Sequence, residues 1–433
     1  MLESGGGWDS LGRNPMNSTL KSYLTKAIRK GSLEVIDAEG KTHTFGDGRR
    51  ETVRVRFTSA AAEAAVVRDP DLKLGEEFAE GRMIIEEGSI FDFLAVVFRN
   101  SGNAVPPLQA IAISGWRLAT RRLRQMNTQG RAKKNIHSHY DLDGRLYSLF
   151  LDADLQYSCA YWEDGVRSLD EAQLAKKRHL AAKLNLQPGQ RVLDIGSGWG
   201  GLGLYLAEHC GVEVVGVTLS EEQYAVSNRR AEELGLAGKA KFLLQDYRKV
   251  EGPFDRIVSV GMFEHVGVGY YRAFFKACHN LLAENGSMVL HSIGRTDGPG
   301  DTSAWIQRYI FPGGYIPAIS EVIPAVEKEK LHITDMEILR LHYAKTLRAW
   351  RERFLAHREE VKALYDERFC RIWEFYLAAS EVAFYTGLMM NFQIQLTKNQ
   401  MALPLTRNYM FTNENALRAV DGTQKVPLKL AGE

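Results

Sequence analysis

The run Arg191-Val-Leu-Asp-Ile-Gly-Ser-Gly-Trp-Gly-Gly201 constrains this chain more than any other segment. A short aliphatic strand breaks into glycines at 196, 198 and 200 and then enters a helical pattern. Glycine turns with positive φ at little steric cost and carries no Cβ, so a ligand can lie directly against the backbone there. Around this loop, strand and helix patterns alternate. Strand-like runs at Arg191 to Ile195, Val212 to Val217, Ala240 to Leu244, Arg256 to Val260 and Ser287 to Ser292 are separated by helical spacing. Such alternation specifies an α/β fold with a mostly parallel sheet and helices on both faces, and ligands bind such sheets at the carboxyl ends of the strands.

At 433 residues the chain is long enough for two domains, each with its own core. Residues 1–17 are rich in Gly, Ser and Asn without hydrophobic periodicity and read as a disordered extension. Residues 18–130 read as a smaller α+β domain, with an alternating strand at Thr52 to Phe57 and helical spacing at Phe91 to Phe98 and Ile111 to Leu123. The polar stretch Gln125 to Asn135 has linker composition, which sets the boundary near Arg131 and assigns 131–433 to the second domain. After Trp305 the pattern becomes helical, through Ile338 to Phe354 and past Trp373 to about Leu396. Trp350, Phe354, Phe369, Trp373, Phe375, Tyr376, Phe384, Tyr385, Met389, Met390 and Phe392 in these segments suit a packed core or the walls of an acyl-chain tunnel.

A net charge of +2 exerts no global pull on an anionic partner, and no nucleic-acid partner is expected. One local patch stands out. From Gly115 to Lys134 the chain carries Arg117, Arg121, Arg122, Arg124, Arg131, Lys133 and Lys134 with no acidic residue. That suits an anionic membrane surface, worth about 1 kcal/mol per basic residue, or a solvated helix face whose acidic partners lie elsewhere in the fold. Cys159, Cys210, Cys278 and Cys370 form no CxxC pair, which argues against a zinc site or a disulfide framework. No apolar run approaches the length of about 20 residues that spans a bilayer. The expected setting is the cytoplasm, with access to lipid from the water side.

Four further segments fall just past strand ends. Gly216-Val-Thr-Leu-Ser-Glu-Glu-Gln223 and Gln245-Asp-Tyr-Arg248 stand with Asp194 and the glycines around one crevice, and together they fit one nucleoside. The GxGxG form directly after Asp194, with Pro188-Gly189 ahead of the strand, is typical of class I S-adenosylmethionine-dependent methyltransferases. Gly261-Met-Phe-Glu-His-Val-Gly267 and Leu290-His-Ser-Ile-Gly294 bring Glu264 and His291 above the sheet, while His265 reads as a structural polar group.

With His139-Tyr-Asp141, Tyr157-Ser-Cys-Ala-Tyr-Trp162, Tyr309-Ile-Phe-Pro-Gly313, Tyr343 and Trp350-Arg-Glu-Arg-Phe354, these motifs occur in order over about residues 135–410. The set resembles the bacterial cyclopropane-fatty-acyl-phospholipid synthases, relatives of the mycolic acid cyclopropane synthases. The resemblance implies a Rossmann-like class I methyltransferase domain with helical lipid-binding insertions. It implies that Tyr157, Ser158, Gly196, Gly198, Thr218, Leu219, Gln223, Asp246 and Tyr247 contact S-adenosylmethionine. Asp194 and Gly200 belong to the same loop. It further implies that Cys159, Glu264, His291, the backbone at Ile293, and Tyr343 hold a bicarbonate ion as general base. Ser197 and Ser380 stand where some relatives carry cysteine. The mycolic acid enzymes generally lack an extra N-terminal domain, so its presence points to membrane phospholipid as substrate, with that domain serving membrane docking and self-association, as in a homodimer. Rival products are a methylated or methylenated olefin, or an N-methylated amine. A non-catalytic lipid-binding protein is the alternative of another class.

Overall fold

The computed structural model describes residues 16–124 and 144–421, so the expected linker and the His139 to Asp141 motif lie outside the described residues. The chain forms two compact units. One comprises the described residues up to Arg117 with Ser303–Trp305 and Lys362–Val382; the other comprises the rest.

The first unit holds a four-stranded sheet of β1 (Ser32–Ile36), β2 (Thr42–Gly46), β3 (Thr52–Phe57) and β4 (Met83–Glu87), in the order β2-β1-β3-β4. On β3 the period of two is plain: Val53, Val55 and Phe57 point into the core, while Arg54 turns outward to Glu34 and Glu87 at 2.7 and 3.0 Å. The helix Ile90–Arg99 starts at a reciprocal Ser89/Asp92 cap, where the sequence predicts helical spacing. The expected extension ends earlier than residue 17. Met16 is buried, and the Asn17 side chain accepts from the Thr19 and Leu20 amides to cap the helix Ser18–Ala27. Arg117, in the basic stretch, is paired with Asp69 at 2.6 Å and Asp71 at 3.3 Å.

The second unit is a seven-stranded sheet of β5 (Arg191–Ile195), β6 (Glu213–Thr218), β7 (Ala240–Leu244), β8 (Phe254–Val260), β9 (Leu282–Arg295), β10 (His332–Ile338) and β11 (Met389–Thr397). Its order is β10-β11-β9-β8-β5-β6-β7, parallel from β7 to β9 and antiparallel at β11 and β10. Strand order reverses between β5 and β8, which opens a crevice at their carboxyl ends. Both faces are covered. Phe263, Phe274, Phe275, Val322 and Phe392 pack on one side, and Leu180, Leu184, Leu202, Val258 and Val289 on the other.

The expected helices after Trp305 need correction at two places. Ile338 closes β10, and the helix begins at His342. The second helix ends at Tyr385, and Met389–Thr397 is a strand inserted between β9 and β10 rather than helix running to Leu396. In β11, Phe392, Ile394 and Leu396 face the apolar core, while Asn391, Gln393, Gln395 and Thr397 are also buried, on the opposite face. Of the aromatic set, Trp350, Phe354, Trp373, Phe375, Tyr376, Phe384 and Phe392 are buried and Tyr385 is half exposed.

Candidate active site

The glycine loop is tied to β6 by the Gly196 and Ser197 amides, which donate to the Val217 carbonyl at 2.9 and 3.0 Å. At Gly198, with φ of 53°, no atom lies within 4 Å of where a Cβ would stand, so the backbone is open to a ligand. The crevice beside it is lined by Tyr157, Ser158, Asp194, Gly196, Gly198, Thr218, Leu219, Gln223, Asp246 and Tyr247, all expected, and by Gln156, Trp199, Arg248, Met262 and His265, which were not assigned to the cofactor. Gly200 does not line it. A Cβ there would meet Ser227 at 2.8 Å and Phe242 at 2.9 Å, so this glycine serves close packing beneath the loop. His265 lines the crevice as a neutral ring, its pKa pushed down to about 4 by burial.

Polar groups in the crevice are set by their neighbours. The Thr218 hydroxyl donates to Gln223 Oε1 at 2.8 Å, which leaves the Gln223 NH2 as the end without a hydrogen bond among the described residues. Arg248 donates to both oxygens of Asp246, at 2.8 and 2.5 Å, and holds that carboxyl below its usual range despite burial. The Asp246 carboxylate is therefore shared with any adenine amine. Asp194 is different: it is 2% exposed and its Oδ2 has no partner. Burial pushes its pKa to about 7, against the opposing charge of Lys176. A buried orphan carboxylate at the root of the glycine loop is a site for a cationic group. A cationic ligand requires the ionised form. S-adenosylhomocysteine affinity is accordingly expected to rise with pH up to about 7 and then level off, and Asp194→Asn should flatten that rise; calorimetric titration between pH 5 and 8 measures both.

The second cluster stands on the tips of β8 and β9. Val260 pairs with His291, and the Gly261 amide donates to the His291 carbonyl at 2.9 Å. The turn Phe263–His265 then folds Glu264 back onto β9, where its Oε1 accepts from the Ile293 amide at 2.6 Å. Its Oε2 is buried without a partner. Burial pushes the Glu264 carboxyl above its usual range, against the pull of the Ile293 N–H and the Ser292 hydroxyl. His291 is 1% exposed, and burial pushes its pKa down to about 3, so the ring is neutral. The Asn391 amide lies 3.0 Å from Nε2 and the Gln393 amide 3.1 Å from Nδ1. A neutral imidazole has one N–H and one bare nitrogen, so one of these amides presents its oxygen and the other its NH2. Neither amide was expected from the sequence.

Cys159 is fully buried, and burial holds its thiol far above the usual range, so it is a protonated S–H. Its loop sits against the β8 tip, since a Cβ at Gly261 would lie 3.8 Å from Ser158. Tyr343 is nearly buried, with its ring edge-on to Trp350 at 5.7 Å; Trp350 in turn lies 5.2 Å from the Tyr157 ring. One indole thus links the expected cofactor tyrosine to the expected pocket tyrosine. A small oxyanion carrying its own proton fits the unpartnered Glu264 oxygen as acceptor, while the Cys159 S–H is directed at the Ala160 carbonyl at 3.4 Å and donates to such an ion only by leaving it. The Ile293 N–H and both His291 nitrogens are engaged within the protein, so they meet such an ion only in exchange for Glu264, Asn391 or Gln393.

Residues 127–394 match the profile of the family described as mycolic acid cyclopropane synthetase. The chain is 40% identical over 319 residues to the cyclopropane-fatty-acyl-phospholipid synthase of Escherichia coli strain K12, covering 74% of this chain and 81% of that protein. It is 37% identical over 406 residues to the tuberculostearic acid methyltransferase UfaA1 of Mycobacterium tuberculosis, covering 89% of this chain and 93% of that one. Among solved structures, the mycolic acid cyclopropane synthase CmaA1 in complex with SAH and CTAB superposes with a TM-score of 0.59 at 33% identity, covering 63% of this chain and 99% of that one. The sheet order, the glycine loop at its switch point and these likenesses agree on one conclusion: the second unit is a class I S-adenosylmethionine-dependent methyltransferase fold, and the chain belongs to the mycolic acid cyclopropane synthetase family.

Proposed function

We propose that this chain adds a one-carbon unit from S-adenosylmethionine across the cis double bond of an unsaturated phospholipid acyl chain and closes it to a cyclopropane ring, with bound bicarbonate as the base. The observation that carries this reading is Glu264: a buried carboxyl with one oxygen fixed on Ile293 N–H and the other left for a ligand. When bound, the two small molecules supply an electrophilic methyl and an exchangeable proton acceptor. The chain's residues supply the rest. An isolated alkene is a weak nucleophile, so methyl transfer leaves positive charge on the acyl chain, and ring closure needs a proton removed from the transferred carbon. The faces of Tyr343 and Trp350 shield that charge, each such contact being worth about 2 kcal/mol when desolvated. Glu264 orients the base, and Cys159 acts as a donor, since its raised pKa leaves no thiolate to attack.

The E. coli relative is named for a phospholipid product, which supports phospholipid over mycolic acid here. Leu108, Ile111, Trp116 and Leu118 are exposed on the helix Leu108–Arg124 at the start of the basic stretch, which supports peripheral docking on an anionic bilayer. Among the described residues no helix is long and apolar enough to cross a membrane. Self-association as a homodimer belongs to the same reading.

A second reading is favoured by UfaA1, a relative named as a methyltransferase whose match covers more of this chain. It makes a methylene or methyl-branched olefin, in which the cation formed by methyl transfer loses a proton without closing a ring. Vesicles of unsaturated phospholipid incubated with the protein and methyl-labelled cofactor decide the matter. The expected label lies in an acyl chain that survives both ozone and mild hydrogenation and carries a ring. An ozone-cleavable methylene or methyl-branched olefin isomer of equal mass selects the second reading; unlabelled lipid removes both.

A further inference from the structure

Lys176 lies within the helix Leu169–Leu184, and its side chain is completely buried. Its ammonium donates to Ser158 Oγ at 2.8 Å and to Gln156 Oε1 at 2.5 Å. One turn earlier, Gln173 Nε2 donates to the Gln156 and Ser158 carbonyls at 3.1 and 3.0 Å. The helix thus grips both ends of the Gln156-Tyr-Ser158 segment, all three residues of which line the crevice. Of the neighbouring acids, Asp154 pairs with Lys177 and Arg230 and accepts from Gln156 Nε2 at 3.0 Å, Asp152 accepts from the Gln156 and Asp154 amides at 2.8 and 3.2 Å, and Asp194 Oδ2 has no hydrogen-bond partner.

A lysine ammonium has three donors and no acceptor. Because it occupies a lone pair of Ser158 Oγ, the hydroxyl hydrogen must point away from it. We propose that Lys176 is a positioning residue for the cofactor: by donating to Ser158 it turns that hydroxyl outward as a donor into the crevice, toward the carboxylate of bound S-adenosylmethionine, the one anionic group that molecule carries. The inference rests on the cofactor reading above and adds to it the group that sets the polarity of the amino-acid subsite. A lysine serving only to balance buried acids would act on stability, not selectively on one end of the ligand.

The test is a calorimetric double-mutant cycle of wild type, Lys176→Met, Ser158→Ala and the double variant. Each is titrated with S-adenosylhomocysteine and with 5′-methylthioadenosine, which lacks the amino-acid end. Each single change is expected to weaken S-adenosylhomocysteine binding by roughly 10- to 100-fold, as for a lost hydrogen bond to a charged group. The double variant should be no more than about threefold worse than the weaker single, because the two residues act as one chain of donors. Methylthioadenosine affinity should stay within about threefold throughout. Additive losses, equal losses for both ligands, or native affinity in Ser158→Ala would overturn the proposal. Should Lys176→Met not fold, Ser158→Ala alone decides it by the same ligand comparison. Failure of the wild type to bind either ligand overturns the cofactor reading and this one together; tight wild-type binding without selectivity overturns only this one.

Discussion

Glu264→Gln is expected to lower turnover by about 100-fold or more, if a base held by this residue takes the proton, while S-adenosylhomocysteine affinity stays native and the protein melts at the same or a higher temperature. The three outcomes follow from one geometry. A glutamine keeps the carbonyl oxygen that accepts from Ile293 N–H at 2.6 Å, so the turn Phe263–His265 stays on β9. It replaces the unpartnered Oε2 with an NH2, so the position that accepts becomes one that only donates. The stability sign follows from the raised carboxyl pKa. Its stabilising contribution is complete below the unfolded value of about 4.3 and is lost as pH rises through the folded one. Glutamine never ionises, so its advantage over the wild type should widen from pH 5 to pH 8 in thermal melts. Full turnover in this variant, or native turnover after dissolved carbonate is stripped out, would remove the base proposal.

What could be read from the sequence was the part that local pattern determines. Strands β5 and β7 begin and end where alternation predicts, and the crevice residues from Tyr157 to Tyr247 share a site because strand ends must. Strand β11 was legible in principle: Asn391 to Thr397 alternates polar and apolar with a period of two. The aromatic helical run before it, and the burial of its polar face as well as its apolar one, masked that signal. The partners of the expected site residues are harder to foresee. Nothing local ties Glu264 to Ile293 N–H, or His291 to amides 100 and 102 residues away. Lys176 follows the same logic in reverse. Nothing in Ala175-Lys-Lys-Arg178 marks which cation turns inward, and only the tertiary fold shows Lys176 fully enclosed.

Gly196→Ala is expected to reduce kcat/KM by about 100-fold, through both cofactor affinity and the chemical step. An alanine at φ of 82° pays for its Cβ with about 1–2 kcal/mol of backbone strain. That Cβ would also lie 2.8 Å from the Met262 Cβ. Met262 leads directly into the turn that carries Glu264, so relief of the clash moves the glycine loop, the Glu264 turn, or both. Gly198→Ala separates the two effects. Its Cβ meets nothing within 4 Å and projects into open crevice, so the protein should keep its turnover at saturating cofactor and lose affinity alone. Calorimetry with S-adenosylhomocysteine and turnover at saturating cofactor measure both variants side by side. If Gly196→Ala lost only affinity, as Gly198→Ala should, the contact between the glycine loop and the Glu264 turn would carry no weight in catalysis, and the two clusters would function as independent sites.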